Sequence, residues 1–198
     1  MRRVCTRLTA LGVELHSCHA VEFFAREGNW HTVSYASAVA RLDAWEIDRR
    51  FEKALRRNLP HARVRIGDSF ELAEQPEFAA QFDLVVYDNP QVTFGDGDRY
   101  CEHFEALDTL SHLMKRQAAV IFNVNRAPFD YDLFPDWQRR RSGFYKIADT
   151  RRLDGDFLIT FYKEYFRTRS LEVRHMFLEP RHEPHIVYLA AVVTKAAA

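Results

Sequence analysis

The sequence has no net charge. Its 198 residues carry 28 acidic and 28 basic side chains, so no global field gathers polyanions as dedicated nucleic-acid binders do. Cysteine is sparse: Cys5, Cys18 and Cys101 are odd in number and far apart, with no Cys-x-x-Cys pair. This argues against a zinc or redox motif and fits reduced thiols in a cytoplasm. Long apolar runs are also missing. Met1 to Thr6 leads into no stretch long enough for a signal peptide, and no segment approaches the ~20 apolar residues of a membrane span. A cytoplasmic protein without a membrane partner is expected. No internal repeat, low-complexity tract or interdomain linker breaks the chain, so residues 1–198 read as one domain.

What is present is enough to build a packed interior, with 47% hydrophobic and 14% aromatic residues. Short apolar runs alternate with helical periodicities, the signature of strand-helix units around a parallel sheet. Strands are expected at Ala20 to Phe24, Leu42 to Ile47, Val64 to Ile66, Leu84 to Tyr87 and Ala118 to Val124. The clearest helix runs from Arg49 to Asn58, capped by Asp48, with Phe51, Leu55 and Leu59 recurring every four residues before Pro60 stops it. A second is expected from Tyr100 to Lys115, a short one capped by Ser69, and another from Gly155 to Ser170. Two further runs, Glu172 to Leu178 and His185 to Thr194, are joined by too few residues for a parallel crossover and should be antiparallel neighbours. The expected fold class is α/β, a doubly wound, mostly parallel seven-stranded sheet ending in an antiparallel hairpin. Arg126 to Leu153, with its arginine run Arg139 to Arg141, fits neither strand nor clean helix. It reads as a surface excursion near the substrate.

In an open parallel sheet, ligands gather at the carboxyl ends of the strands. Here the strand ends carry acids: Glu22, Glu46 with Asp48, Asp68 and Asp88. A carboxylate ending the second strand, 24 residues after the one in the first loop, suits the paired hydroxyls of a ribose. An acid beyond the third strand can reach an adenine amino group.

Three segments carry a more specific likeness: Ala44-Trp45-Glu46-Ile47-Asp48, Ala62 to Ser69, and Phe82 to Asp88. Together they resemble the core of the class I S-adenosylmethionine-dependent methyltransferases, as does the terminal hairpin. The resemblance implies S-adenosylmethionine as cofactor. It places Glu22 near the methionine amino end, Glu46 with Ile47 at the ribose, Asp68 and Ser69 at the adenine, and Asp88 beside the sulfonium. Glu22-Phe23-Phe24-Ala25 is similar to the Asp-Leu-Phe-Ala start of cytosine-methylating relatives, which brings Phe24 and Gly28 into the cofactor set. The departure lies in that loop, where the family usually alternates glycines and this chain keeps only Gly28. Arg26 stands at the usual second glycine, binding the cofactor carboxylate, pointing outward, or marking lost cofactor binding.

The chemistry implied is methyl transfer to an oxygen or nitrogen of a small-molecule or sugar-like metabolite, with Asp88 and His103 as candidate catalytic residues. His103 is expected at the start of the helix after a glycine-bearing flap, Asn89 to Arg99, as base for a hydroxyl acceptor. No metal site is expected, since His16, His19 and His31 lack metal-helix spacing and Asp88 with Asn123 or Asn125 lacks further acids. Three alternatives stay open. One is a degenerate domain that only binds a partner. Another is a nucleic-acid amino methyltransferase, suggested by Asn89-Pro90-Gln91 but missing the second proline and the aromatic. The third is a nicotinamide oxidoreductase, which the missing glycines disfavour. Trp30, Tyr131, Phe134, Trp137 and Phe144 read as packing rather than as a base-stacking platform.

Overall fold

The computed structural model describes residues 1–126 and 132–196. Pro128 and Tyr131 of the proposed excursion, and Ala197 and Ala198, lie outside the described residues. Nine strands are described: β1 (His19–Phe23), β2 (Arg41–Glu46), β3 (Arg63–Ile66), β4 (Phe82–Tyr87), β5 (Thr93–Phe94), β6 (Tyr100–Cys101), β7 (Met114–Asn125), β8 (Leu171–Pro180) and β9 (Ile186–Lys195). Six helices accompany them: α1 (Arg2–Ala10), α2 (Glu52–Asn58), α3 (Ser69–Ala73), α4 (Leu110–Leu113), α5 (Pro135–Tyr145) and α6 (Gly155–Arg167).

Seven strands form one sheet in the order β3-β2-β1-β4-β7-β9-β8. The first five pair in parallel, whereas β9 runs antiparallel between β7 and β8. Alternation along the central strands feeds two cores. Val21, Phe23, Val85, Tyr87, Val120 and Phe122 face one side, and Ala20, Leu84, Val86, Ala119 and Ile121 face the other. Strands buried on both faces read as near-continuous apolar runs, which is why the sheet is visible in the sequence.

Three local expectations need correction, and one helix had no counterpart among them. The helix from Tyr100 to Lys115 is absent. Tyr100–Cys101 pairs with Thr93–Phe94 in a small antiparallel ladder, and Glu102 adopts a left-handed φ of 50° that no helix tolerates. Only a 3-10 turn and the four-residue α4 remain, because the chain must re-enter the sheet at Met114 opposite Phe82. Asp68, not Ser69, caps α3, accepting the Phe70 N–H at 2.8 Å. The segment after β7 contains a real helix, α5, opened by Pro135 at its first turn. Its Arg141 is fully buried rather than solvated. Finally, α1 went unread in the sequence. Its Val4, Cys5 and Leu8 cover the sheet face that includes Ala20, Leu84 and Ala119, while the β1–β2 crossover holds only a 3-10 turn, Thr32–Ser34. No helix among the described residues is long and apolar enough to cross a membrane.

Candidate functional site

The parallel strands β1 to β4 deliver Phe24, Ile47, Gly67 and Asp88 to one edge of the sheet. The first loop is strained: Phe24 and Arg26 have φ of 62° and 47°, in the left-handed region that favours glycine. Such residues persist only where surroundings over-determine them, at about 1–3 kcal/mol each. Here the constraint is Glu46. Its Oε2 accepts the Arg26 N–H at 2.7 Å and its Oε1 the Asp48 N–H at 2.8 Å, so one carboxylate fixes the loops after β1 and β2. The Ala25 N–H donates to the Trp45 carbonyl at 3.0 Å. Gly28 is also left-handed, at φ 64°, so a side chain there would be strained, and its Cβ would lie 2.7 Å from Leu55 and Leu59 methyl carbons, which would have to shift. The Arg26 side chain turns outward, 64% exposed, with its guanidinium 5.3 Å from the Phe51 ring centroid.

Two cavities flank this loop. One, about 280 Å³, lies beyond β2 and β3 and is lined by Phe24, Ile47, Asp68 and Ser69 together with Phe94 and Tyr100 of the β5–β6 hairpin. The other, about 290 Å³, is lined by Arg26, Gly28, Trp30, Thr32 and Asp88. Each alone is at the small end of small-molecule sites, about 300–1,000 Å³. An elongated ligand crossing the loop would use both.

The second cavity stands on a buried polar network. Thr32 Oγ1 donates to Glu22 at 2.7 Å and the Tyr35 hydroxyl donates to its other oxygen. Burial, reinforced by the nearby Asp88, pushes the Glu22 carboxyl up to about 8, so Glu22 is largely neutral at pH 7. Asp88 is also raised, first by burial, against the opposing pull of the Asn123 amide and Arg181. Asn123 Nδ2 donates to Asp88 at 2.8 Å. Arg181, 4% exposed and 3.7 Å from Asp88, donates to Asn123 Oδ1 and His31 Nε2, both at 2.6 Å, and pairs with Glu183 at 3.0 Å. Burial and the Arg181 charge bring the His31 imidazole down to about 4. It therefore stays neutral and accepts from Arg181.

No family model and no curated protein matches the sequence, but solved structures match along nearly all of it. The O-methyltransferase TomG of Streptomyces achromogenes, solved in complex with S-adenosylmethionine, superposes with a TM-score of 0.58 at 17% identity over 95% of this chain and 78% of that one. A Listeria monocytogenes protein assigned as an S-adenosylmethionine-dependent methyltransferase gives 0.60 at 12% identity, covering 98% of both chains. A Pyrococcus horikoshii protein assigned as an RNA methyltransferase gives 0.58 at 15% identity, covering 98% and 80%. This chain has the class I methyltransferase fold.

Within that methyltransferase fold, Phe24, Ile47, Asp68 and Ser69 come together at the first cavity, and Gly28 and Asp88 at the second. Glu46 lines neither cavity: it ends β2, 5% exposed, and ties together the backbone of the loops that do. Glu22 differs from the expectation. It is fully buried beneath Thr32 and Tyr35, and Thr32 presents the polar wall in its place.

His103 is a clear correction. Its imidazole is fully buried, 4.5 Å from the Phe122 ring and hydrogen-bonded to the Tyr162 hydroxyl. Burial holds it well below the ordinary histidine range, and it lines neither cavity. A base needs access to the proton it takes. The helix expected to carry His103 to the surface does not form, so it is core. Trp137 and Phe144 are packing as expected, whereas Trp30 and Phe134 are about half exposed, at 54% and 52%. Among the described residues, no group of three or more His, Cys, Asp or Glu converges on a point.

Arg181, His31, Thr32 and Tyr35 were missed by sequence reasoning. Arg181 sits between Pro180 and Pro184 in what reads as a bare hairpin turn, and nothing local marks it as the buried cation of the site. Its partners are 58 and 150 residues away in sequence.

Proposed function

We propose that the chain binds S-adenosylmethionine across the loop at residues 24–28 and transfers its methyl group to an oxygen or nitrogen of a small molecule. The observation that carries this is the arrangement of Glu46: one carboxylate at the end of β2 holds the Arg26 and Asp48 N–H groups, in loops that give Phe24 and Ile47 to the ring-lined cavity and Arg26 and Gly28 to the polar one. Each Glu46 oxygen takes one backbone N–H and keeps a second acceptor position, enough for the two ribose hydroxyls. Asp68 uses Oδ1 for the helix cap, and its Oδ2 is available to an exocyclic amine.

The same geometry disfavours a dinucleotide. A pyrophosphate needs free backbone N–H groups and close approach at a helix N-terminus. Here the Arg26 N–H is committed to Glu46, left-handed residues 24 and 26 carry side chains, and only a 3-10 turn follows. The outward Arg26 leaves the second cavity open, which favours a binding-competent domain over a degenerate one.

When bound, S-adenosylmethionine supplies a methyl group on a sulfonium, open to in-line displacement. The residues of this chain position and exclude. Asp88, held by Asn123 and Arg181, lies nearest the reacting centre and attracts positive charge. Glu22, neutral at pH 7, supports the loop without adding a competing anion. Transfer to an amine requires no protein base. Transfer to a hydroxyl would use Asp88 as proton acceptor, in place of His103. The decisive test is turnover of labelled S-adenosylmethionine with a panel of hydroxyl and amine acceptors. Asp88→Asn should cut turnover by about 10²-fold or more if the acceptor is a hydroxyl. Full turnover of a hydroxyl acceptor in that variant places the proton acceptor elsewhere.

A further inference from the structure

The β5–β6 hairpin has only two residues per strand, too little ladder to persist by itself. Its inner side is held by rings. Tyr100 stacks on Phe70 at 4.0 Å and 10°, and Phe94 meets Phe24 edge-to-face at 5.4 Å. Gly95 makes the turn at φ 79°, where a Cβ would strike the Tyr100 ring at 2.9 Å.

Its outer side is held by one arginine from another element. Arg140 of α5 donates through Nη1 to the carbonyls of Asp98 at 3.2 Å and Arg99 at 3.1 Å, and through Nη2 to Glu105. The second Glu105 oxygen accepts the Cys101 N–H at 2.9 Å. Arg140 and Glu105 together therefore pin β6. Half of the residues lining the first cavity belong to this hairpin. Remove it, and the strand ends offer Asp68, Ser69 and Ile47 to open water.

We propose that this hairpin is the wall that grips the nucleoside end of the cofactor, with Phe94 as a ring contact for the purine and Arg140 as the positioning residue that latches the wall shut. The inference rests on the cofactor reading above and extends it to residues of the crossover and of α5. A flat purine gains from aromatic neighbours irrespective of its hydrogen-bonding pattern, while the Asp68 carboxylate selects an amino-bearing one. The arginine run of α5 thereby has a function on the site's far rim rather than toward a polyanion.

The test is calorimetric titration of S-adenosylhomocysteine and of adenosine into the parent chain and into Phe94→Ala, Phe94→Leu, Arg140→Met and Arg140→Lys. The parent should bind both ligands. Phe94→Ala should weaken both by about tenfold or more, and Phe94→Leu, which keeps bulk but not the ring face, by less. Arg140→Met should act mainly by faster dissociation of S-adenosylhomocysteine, together with faster amide exchange confined to residues 93–101. Arg140→Lys should restore part of both. If the parent binds and all four variants keep its affinity and dissociation rate, the hairpin is a passive cover and the proposal falls while the cofactor reading stands. If the parent binds neither ligand, both fall.

Discussion

The two cavities beside the loop at residues 24–28 are built from opposite materials. The β2–β3 side is walled by Phe24, Phe70, Phe94 and Tyr100, which touch through rings, with Asp68 and Ser69 as its polar floor. The β1–β4 side is a network of charges and hydroxyls in which Asp88, Asn123, His31 and Arg181 are connected through hydrogen bonds and an ion pair, beside the separate Glu22–Thr32–Tyr35 cluster. A ring wall responds to substitution locally, because dispersion contacts are many and individually small. A buried charged network responds globally, because removing one partner strands another in low dielectric. The difference predicts that mutations of equal size will read as affinity changes on one side and as stability changes on the other.

The largest effect should come from Arg181→Met. It leaves Asp88 and Glu183 without their cation and should lower unfolding free energy by about 3–5 kcal/mol, as measured by chemical denaturation. Arg99→Met on the ring side, where the side chain is exposed, should cost little in the same assay. A small loss at Arg181 would mean that the network is not a unit.

Next comes a pH effect on the charged side. The Glu22 carboxyl is raised to about 8 in the folded chain against 4.5 unfolded, so between those values the folded state holds the extra proton. By linkage its contribution is full below about 4.5 and is lost as pH rises toward and past 8. Glu22→Gln, permanently neutral, should flatten that decline. A variant whose stability falls with pH as steeply as the parent's would assign the titration to another group.

Glu46 stands between the two sides and should show both behaviours. Glu46→Ala should weaken S-adenosylhomocysteine binding by about 1.5–3 kcal/mol, roughly ten- to a hundredfold. Since both oxygens also hold backbone N–H groups, it should also lower the melting temperature of the free protein. Unchanged affinity in a folded variant would remove Glu46 from the ligand. Smallest is Asp68→Asn: asparagine caps as well as aspartate, so stability should hold while affinity for adenosine falls about three- to tenfold. A shift in stability without a shift in affinity would make Asp68 only a cap.

The contrast also explains what could be read in the sequence. The sheet was legible because β1, β4 and β7 are apolar on both faces, and the acids Glu46, Asp68 and Asp88 because they sit at or just beyond the ends of β2, β3 and β4. The β8–β9 hairpin followed from the short link between Leu178 and His185. What stayed hidden depends on contacts between distant segments. His103 read as a surface base because Phe104, Leu107 and Leu110 have helical spacing, yet the left-handed Glu102 ends any helix there and Tyr162 claims the imidazole. The arginine run read as solvated because nothing in residues 139–141 says that Arg141 meets Glu102 with neither side chain exposed. Arg181 gave no signal, since its importance comes from loops that fold over it.

The central claim is that a ligand with an adenosine at one end and an amino acid at the other spans the Glu46 loop. Calorimetric titration of the folded parent chain with S-adenosylhomocysteine, with NAD in a parallel run, tests it most directly. One mole of S-adenosylhomocysteine should bind per mole of chain, and NAD should give no heat of binding. Binding of NAD without S-adenosylhomocysteine, or of neither, would contradict the account.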